Sequence, residues 1–273
     1  MINPSVKKSE PRESVQLSLG NDFDVLHKVN RGHVESMHPV YQAAHAKAVS
    51  IVGGNRIHLD DFHYVDTERD KQAVIDRYKE INSKTLFKEG EVEALVQAEI
   101  LEAMIYDLVK NYGWFGKNTS AILPSSYDDL FLGNDMILEH SSGDFTSYSG
   151  VGIDITIGES SFMKKIEDTK RRISKGQLGK VKYFKSRDAN YSGELNNIPH
   201  FVIGVDRDHM FSLARSWAEG REDSIKKSPA RKNIILMMIA ECDEFSKNAN
   251  QNIKDAYARE KRILEKVLLD ISK

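Results

Sequence analysis

Two short apolar segments, each carrying acidic residues, constrain the fold of this 273-residue chain more than any other feature. The first, at residues 135–139, reads Asp-Met-Ile-Leu-Glu. The second, at residues 151–157, alternates Val or Ile with Gly152, Asp154 and Thr156. This alternation predicts a strand with one fully apolar face. A carboxylate in a buried strand is costly unless a partner or a cation compensates it, so we expect neighbouring strands with compensated acids.

Charge is distributed unevenly around these segments. Residues 118–163 contain no Lys or Arg but seven acids, whereas residues 161–187 contain ten bases against two acids. Between the two strand segments, residues 141–150 have turn composition, which predicts an antiparallel hairpin. An acidic centre followed by a basic surface suits metal-dependent chemistry on a polyanion.

The remaining composition excludes several classes of protein. A single cysteine, Cys242, rules out a disulfide within the chain and fits a reducing compartment. The longest apolar run, at residues 234–240, is far below the roughly 20 residues that a membrane-spanning helix needs. The N-terminus lacks an apolar signal core. The sequence therefore predicts a cytoplasmic protein without a membrane partner.

Four regions follow from the order of polar and periodic segments. Residues 1–20 are predicted to be a disordered tail, residues 21–85 an N-terminal helical region, residues 86–220 an α/β core and residues 221–273 a C-terminal helical hairpin. The hairpin either packs on the sheet or joins two copies in a homodimer. Strands are predicted at residues 57–64, 180–185 and 198–205, in addition to the two acidic segments. Helices are predicted at residues 39–52, 67–82, 88–111, 162–175, 206–219, 229–248 and 252–271.

Further acids are candidates for a site around Asp135 and Asp154. Glu99 and Glu102 fall on the apolar stripe of a predicted helix, where each forms a structural ion pair or belongs to a site. Glu139 shares a strand face with Asp135, because alternate residues of a strand point the same way. Asp129 is either a turn residue or an extra ligand. The candidate metal ligands are Asp135, Asp154, Glu99, Glu102, Glu139 and Asp129.

The order of these elements resembles the PD-(D/E)XK nuclease superfamily over residues 89–205. Asn134 and Asp135 match its Pro-Asp pair, and residues 154–156 match its (D/E)-X-K triplet after a spacing of eighteen residues. Glu99 or Glu102 then matches the acid that many members carry on the preceding helix. The resemblance implies that the predicted α/β core at residues 86–220 is nuclease-like. Such a restriction-endonuclease-like core has a small mixed β-sheet flanked by helices.

The chain departs from the superfamily pattern at the position of the motif lysine, where Thr156 stands. Lys164 or Lys165 on the next helix, or Lys182 on the next strand, is the expected replacement. The catalytic candidates are therefore Asp135, Asp154, Lys164 and Lys165. The bases expected to contact a nucleic-acid backbone are Lys170, Arg171, Arg172, Lys175, Lys182 and Lys185.

Three hypotheses about function follow. The first is a nucleic-acid phosphodiester hydrolase that uses Mg²⁺ or Mn²⁺, with either DNA or RNA as substrate and DNA as the expected partner. The second is a catalytically inactive nuclease-fold module that binds nucleic acid or mediates protein assembly, with Thr156 marking the lost site. The third is an interaction protein that dimerises through its C-terminal helices.

Overall fold

The structure, a computed structural model, describes residues 34–85, 89–141, 148–187 and 190–271. The predicted tail at residues 1–20, the start of the N-terminal region and most of the predicted hairpin turn lie outside these residues. The helices are α1 (Pro39–Asn55), α2 (Thr67–Thr85), α3 (Glu89–Tyr112), α4 (Ser126–Leu132), α5 (Glu159–Ser174), α6 (Arg207–Ala218), α7 (Glu222–Lys226), α8 (Pro229–Ser246) and α9 (Gln251–Ile271). The strands are β1 (Thr119–Ile122), β2 (Met136–Ser141), β3 (Tyr148–Ile157), β4 (Gly179–Lys185), β5 (Ser192–Ile198) and β6 (His200–Val205).

A four-stranded mixed sheet, in the order β1-β2-β3-β6, lies at the centre of the fold. β1, β2 and β3 are antiparallel, whereas β6 pairs in parallel with β3, so that Asp154 stands opposite Val202. The chain between β3 and β6 contains α5 and a separate antiparallel pair, β4 and β5. The predicted α/β class, with a small mixed sheet flanked by helices, is confirmed.

The helices cover the sheet because their apolar faces match its buried strands. α3 packs on β1, β3 and α1, and its stripe of Val96, Ile100, Ala103 and Met104 is fully buried. One buried apolar cluster runs from α1 through the sheet to α9. In the described part of the chain, no helix combines the length and the apolar character that crossing a bilayer requires.

The C-terminal hairpin of α8 and α9 covers the outer edge of β6. The Val202 amide donates to Glu241 at 2.9 Å, and the His200 amide donates to the Tyr257 hydroxyl at 3.3 Å. Tyr257 in turn donates to the His200 carbonyl at 3.0 Å. The unpaired backbone N–H and C=O groups of an exposed strand edge can pair with another chain. Here the side chains of α8 and α9 satisfy some of those groups in β6. The hairpin therefore packs on the sheet, and the homodimer remains a prediction.

The segment at residues 57–64 is not a strand, contrary to the prediction. It contains a short 3₁₀ turn, Leu59–Asp61, and only Arg56, just before it, forms a β-bridge, with Leu123. Leu59 and Phe62 are buried against Tyr183. The apolar residues of this segment thus fill a small core of their own rather than a sheet.

Candidate active site

Asp135 lies where β2 begins and extends the ladder between β2 and β3. Its amide donates to the Ile153 carbonyl at 2.8 Å, and its carboxylate accepts the Ile155 amide at 2.5 Å. The preceding residue, Asn134, is fully buried and donates to the Lys180 carbonyl at 2.9 Å. A Cβ at Gly152 would overlap the Asn134 side chain, so a glycine is required opposite. The position of Asp135 is therefore set by its own hydrogen bonds to β3 and by the packing of the preceding residue, Asn134.

Lys165 of α5 joins Asp135 to Asp154 of β3. Its ammonium forms an ion pair with the Asp154 carboxylate, lies 3.9 Å from Asp135 Oδ2 and donates to the Ile155 carbonyl at 2.8 Å. Three oxygen atoms from adjacent strand segments therefore surround one cation. The neighbouring Lys164 is exposed, because successive helical residues point about 100° apart. Of the expected replacements for the motif lysine, Lys165 is the one that reaches the acids.

Arg56 brings a second pair of acids to the same place. It donates to Glu102 of α3 and to Asp129 of α4, in each case at 2.8 Å, and its side chain is only 10% exposed. Asp128, next in the chain to Asp129, is fully buried and accepts the Lys182 and Tyr183 amides at 2.6 and 3.1 Å. Asp128 thus ties α4 to β4 and leaves Asp129 directed at Arg56.

Glu99, one turn before Glu102 on α3, lies at the rim of this cluster. Its carboxylate is 3.1 Å from His45 Nε2 of α1. No local pattern in the sequence marks Arg56 or His45 as part of a site, because each lies far along the chain from the acid it contacts. Only their positions on elements that pack together bring them to the site.

Burial raises the pKa values of the clustered carboxyl groups. The pKa of Asp135 rises to about 7, because burial and the charge of Asp154 outweigh Lys165 and the Ile155 amide. The pKa of Asp129 rises to about 6 through burial, with Arg56 opposing and Asp135 adding to the shift. Burial also raises the pKa values of Glu102 and Asp154, against Arg56 and Lys165 respectively. Arg56 and Lys165 therefore do not fully offset the effect of burial on the pKa values of these carboxyl groups.

A cavity of about 250 Å³ opens beside the cluster. Its charged lining residues are Arg56, Glu99, Glu102, Asp129, Asp135 and Lys165, whereas Asp154 does not line it. Its apolar lining residues come mostly from α1, α2, α3 and α4 and include Val52, Ala98 and Leu130. Most charged groups of the cluster therefore line one recess.

Glu139 does not belong to this cluster, although it was expected to share a face with Asp135. It lies four residues further along β2, roughly 13 Å away at the rise of a strand. There it is fully buried, bonded to Ser186, and accepts the Arg187 amide at 3.0 Å. Its place is to hold the end of β4, so the structure does not support Glu139 as a metal ligand.

Arg172 turns inward rather than toward a nucleic acid. It lies 3.3 Å from His200 Nδ1, and His200 Nε2 lies 2.8 Å from the Gly133 carbonyl. Burial, together with the charge of Arg172, lowers the pKa of His200 to about 3. A neutral His200 that donates from Nε2 and accepts at Nδ1 satisfies both contacts. Arg172 and His200 thus support the loop that leads to Asp135.

Most of the other bases expected to track a nucleic-acid backbone form ion pairs within the chain. Lys182 is 11% exposed and pairs with Asp66 and Asp70, so the structure does not support it either as the replacement lysine or as a backbone contact. Lys170 pairs with Glu167 and Glu244, Arg171 with Asp168, and Lys185 with Asp61 at 3.4 Å. Lys175 is exposed at the end of α5.

Among the residues that the structure describes, no three His, Cys, Asp or Glu side chains converge closely enough to enclose a metal ion by themselves. Oxygen atoms of Asp135, Asp154 and the Ile155 carbonyl instead surround the ammonium of Lys165. Comparison with known proteins finds no matching family model, no matching curated protein and no matching solved structure.

Proposed function

We propose that this protein hydrolyses phosphodiester bonds in nucleic acid with the help of a divalent cation. The observation that carries the proposal is the contact of Lys165 with Asp154 and Asp135. A lysine beside two strand carboxylates is what the PD-(D/E)XK pattern requires, and here it would come from α5 in place of Thr156. The order α3, β1, β2, β3, α5, β6 fits the same restriction-endonuclease-like core.

The balance of charge in the cluster supports a divalent cation. When all four are deprotonated, Glu102, Asp129, Asp135 and Asp154 bring four negative charges, whereas Arg56 and Lys165 bring two positive ones. One Mg²⁺ or Mn²⁺ would offset the difference of two. Mg²⁺ binds through one or two carboxylates, several waters and the substrate phosphate, so it does not need three converging acids. Asp135 and Asp154 are the residues that would hold it.

The residues of the chain have separate roles in this proposal. The bound cation would supply an activated water and offset the charge that develops on the phosphate. Lys165, held by the Ile155 carbonyl, orients the water or the phosphate oxygen. Asp135 and Asp154 hold the cation, while Arg56 keeps Glu102 and Asp129 in the cavity wall.

The test is a cleavage assay on plasmid DNA, single-stranded DNA, branched DNA and RNA, with and without Mg²⁺ or Mn²⁺. The variants are Asp154→Asn and, as a matched control, Asp168→Asn, an exposed acid on α5 that pairs with Arg171. We expect metal-dependent products from the wild type and from Asp168→Asn, and none from Asp154→Asn. Cleavage by Asp154→Asn at the wild-type rate would refute the assignment.

The inactive-module hypothesis is the second outcome of the same assay. It is favoured by Thr156, which stands at the position of the motif lysine. It predicts no cleavage by the wild type in any metal, together with binding to nucleic acid that weakens steeply with salt.

A further inference from the structure

The lining of the cavity beside the acids is chemically mixed. It includes small and medium apolar side chains from three helices: Ala48, Val49, Val52, Leu95, Ala98 and Leu130. It also includes Asp135 and Lys165. A ligand that fills this space therefore meets both apolar and charged groups.

Arg56 uses both of its terminal nitrogens on Glu102 and Asp129, and its Nε is too deeply buried for a ligand in the cavity to reach. The charged groups that remain for a ligand on this lining include those of Asp135 and Lys165.

We infer that this cavity receives the base and sugar of one unpaired nucleotide, whose phosphate lies at Asp135, Asp154 and Lys165. This inference rests on the proposed function and narrows its substrate to single-stranded or unpaired nucleic acid. A nucleobase has apolar faces and polar edges, and enzymes that act on an extruded base hold it between apolar side chains.

The size of the cavity supports one nucleoside rather than a base pair. Its volume of about 250 Å³ is below the roughly 300–1,000 Å³ of pockets for drug-sized ligands. The acids are also recessed, since the side chains of Asp135 and Asp154 are 20% and 16% exposed. An intact duplex keeps its bases stacked inside, so a nucleotide must leave the stack to place its phosphate here.

Two substitutions fill the apolar part of the cavity from opposite helices. Ala98→Phe acts from α3 and Val49→Phe from α1, and both positions are only partly buried. The control is Ala94→Phe, which makes the same change one turn earlier on α3 at an exposed position outside the cavity lining. Unfolding curves of all three variants establish that each has folded.

The first readout is calorimetric binding of dTMP and dAMP in Mg²⁺. Thymidine and inorganic phosphate are titrated separately, to represent the nucleoside half and the phosphate half of a nucleotide. We expect each nucleotide to bind the wild type more tightly than either half, and either filling variant to weaken it by about tenfold or more. Ala94→Phe should bind like the wild type. Absence of nucleotide binding to the wild type, or equal affinity in both folded filling variants, would overturn the inference.

The second readout is cleavage of single-stranded and duplex DNA of the same sequence. We expect the single strand to be cleaved at least about tenfold faster, since extruding a paired base costs a few kcal/mol. Equal rates would overturn the inference and leave the proposed hydrolase standing. Nucleotide binding that the filling variants abolish, with no cleavage of any substrate, would instead refute the hydrolase and retain the cavity as a nucleotide site.

Discussion

Two lysines of this protein, Lys165 and Lys182, each contact a pair of aspartates, yet the two clusters differ in what surrounds them. Lys182 pairs with Asp66 and Asp70, and the hydrogen bond from Lys182 lowers the pKa of Asp66. Lys165 pairs with Asp154 and Asp135, where the pKa of Asp135 is raised to about 7. A lysine between two acids is therefore not by itself the mark of a site.

The surroundings of each lysine explain the difference. Around Lys182, the phenol of Tyr183 donates to Asp70 at 2.9 Å, and the rings of Tyr127 and Tyr183 lie 5.3 and 5.4 Å from the ammonium. Around Lys165, two further acids add negative charge. A cavity adjoins each lysine, so the cavities do not distinguish the two clusters. The first cluster is complete within the chain, whereas the second has an excess of carboxylates that an added cation would offset.

The largest expected effect is on the cleavage rate, which should depend on the Lys165 cluster. Lys165→Met should lower the cleavage rate by about 10²–10³-fold, because it removes a charge aimed at the reacting phosphate. Lys164→Met, on the exposed neighbour, should leave the rate unchanged. The measurement is the initial rate on single-stranded DNA in Mg²⁺. Equal rates in the two variants would place the catalytic lysine elsewhere.

The next effect separates the clusters by stability. Asp70→Asn should lower the free energy of unfolding by about 3 kcal/mol, since it removes a partner of the nearly buried Lys182. Asp135→Asn should instead raise it by about 1 kcal/mol at pH 8, because it removes an excess negative charge from a functional cluster. Urea unfolding of the two variants beside the wild type measures both. If Asp135→Asn lost as much stability as Asp70→Asn, the Lys165 cluster would have no excess of carboxylates that distinguishes it from the Lys182 cluster.

The dependence of stability on pH tests the same excess of charge. The pKa of Asp135 lies at about 7 in the folded protein against an ordinary value of 3.8, so the folded state keeps a proton that the unfolded chain has lost. The free energy of unfolding should therefore fall as pH rises through that window, by up to about 1.4 kcal/mol per pH unit from this group. Asp135→Asn should show a shallower decline. An identical slope in both proteins would show that this carboxyl group does not titrate there.

The smallest expected effect concerns the basic face of α5. Arg171 pairs with Asp168 on an exposed surface, and such pairs contribute little. Arg171→Ala should change the free energy of unfolding by less than about 0.5 kcal/mol. Its affinity for single-stranded DNA in low salt should stay within about twofold of the wild type, because Asp168 already neutralises the charge. A tenfold loss of affinity would restore α5 as a nucleic-acid surface.

The sequence predicted those parts of the site that lie on strongly patterned elements. The alternation at residues 151–157 located β3 with Asp154, and the apolar stripe of α3 placed Glu99 and Glu102 on one helix. Lys165 was one of three candidate lysines, and the sequence could not choose among them because the choice depends on how α5 rotates against β3. Long periodic segments carry their own structure in the local pattern.

The sequence did not reveal the parts that depend on tertiary contacts. The sequence leaves Asp129 as either a turn residue or an extra ligand, whereas Asp129 and its neighbour Asp128 lie in α4, a short helix that follows the Ser125 cap. Asp128 holds β4, while Asp129 meets Arg56, and no local pattern distinguishes the two. Glu139 failed as a ligand for a related reason: a shared strand face says nothing about distance along the strand.

The most direct test of the central claim is a calorimetric titration of the protein with Mg²⁺ and Mn²⁺ at pH 8. The proteins to compare are the wild type, Asp135→Asn, Asp154→Asn and, from the other lysine cluster, Asp66→Asn. We predict that the wild type and Asp66→Asn bind a divalent cation, and that the other two lose at least about tenfold in affinity. Absence of binding to the wild type, or equal binding by all four proteins, would contradict the account.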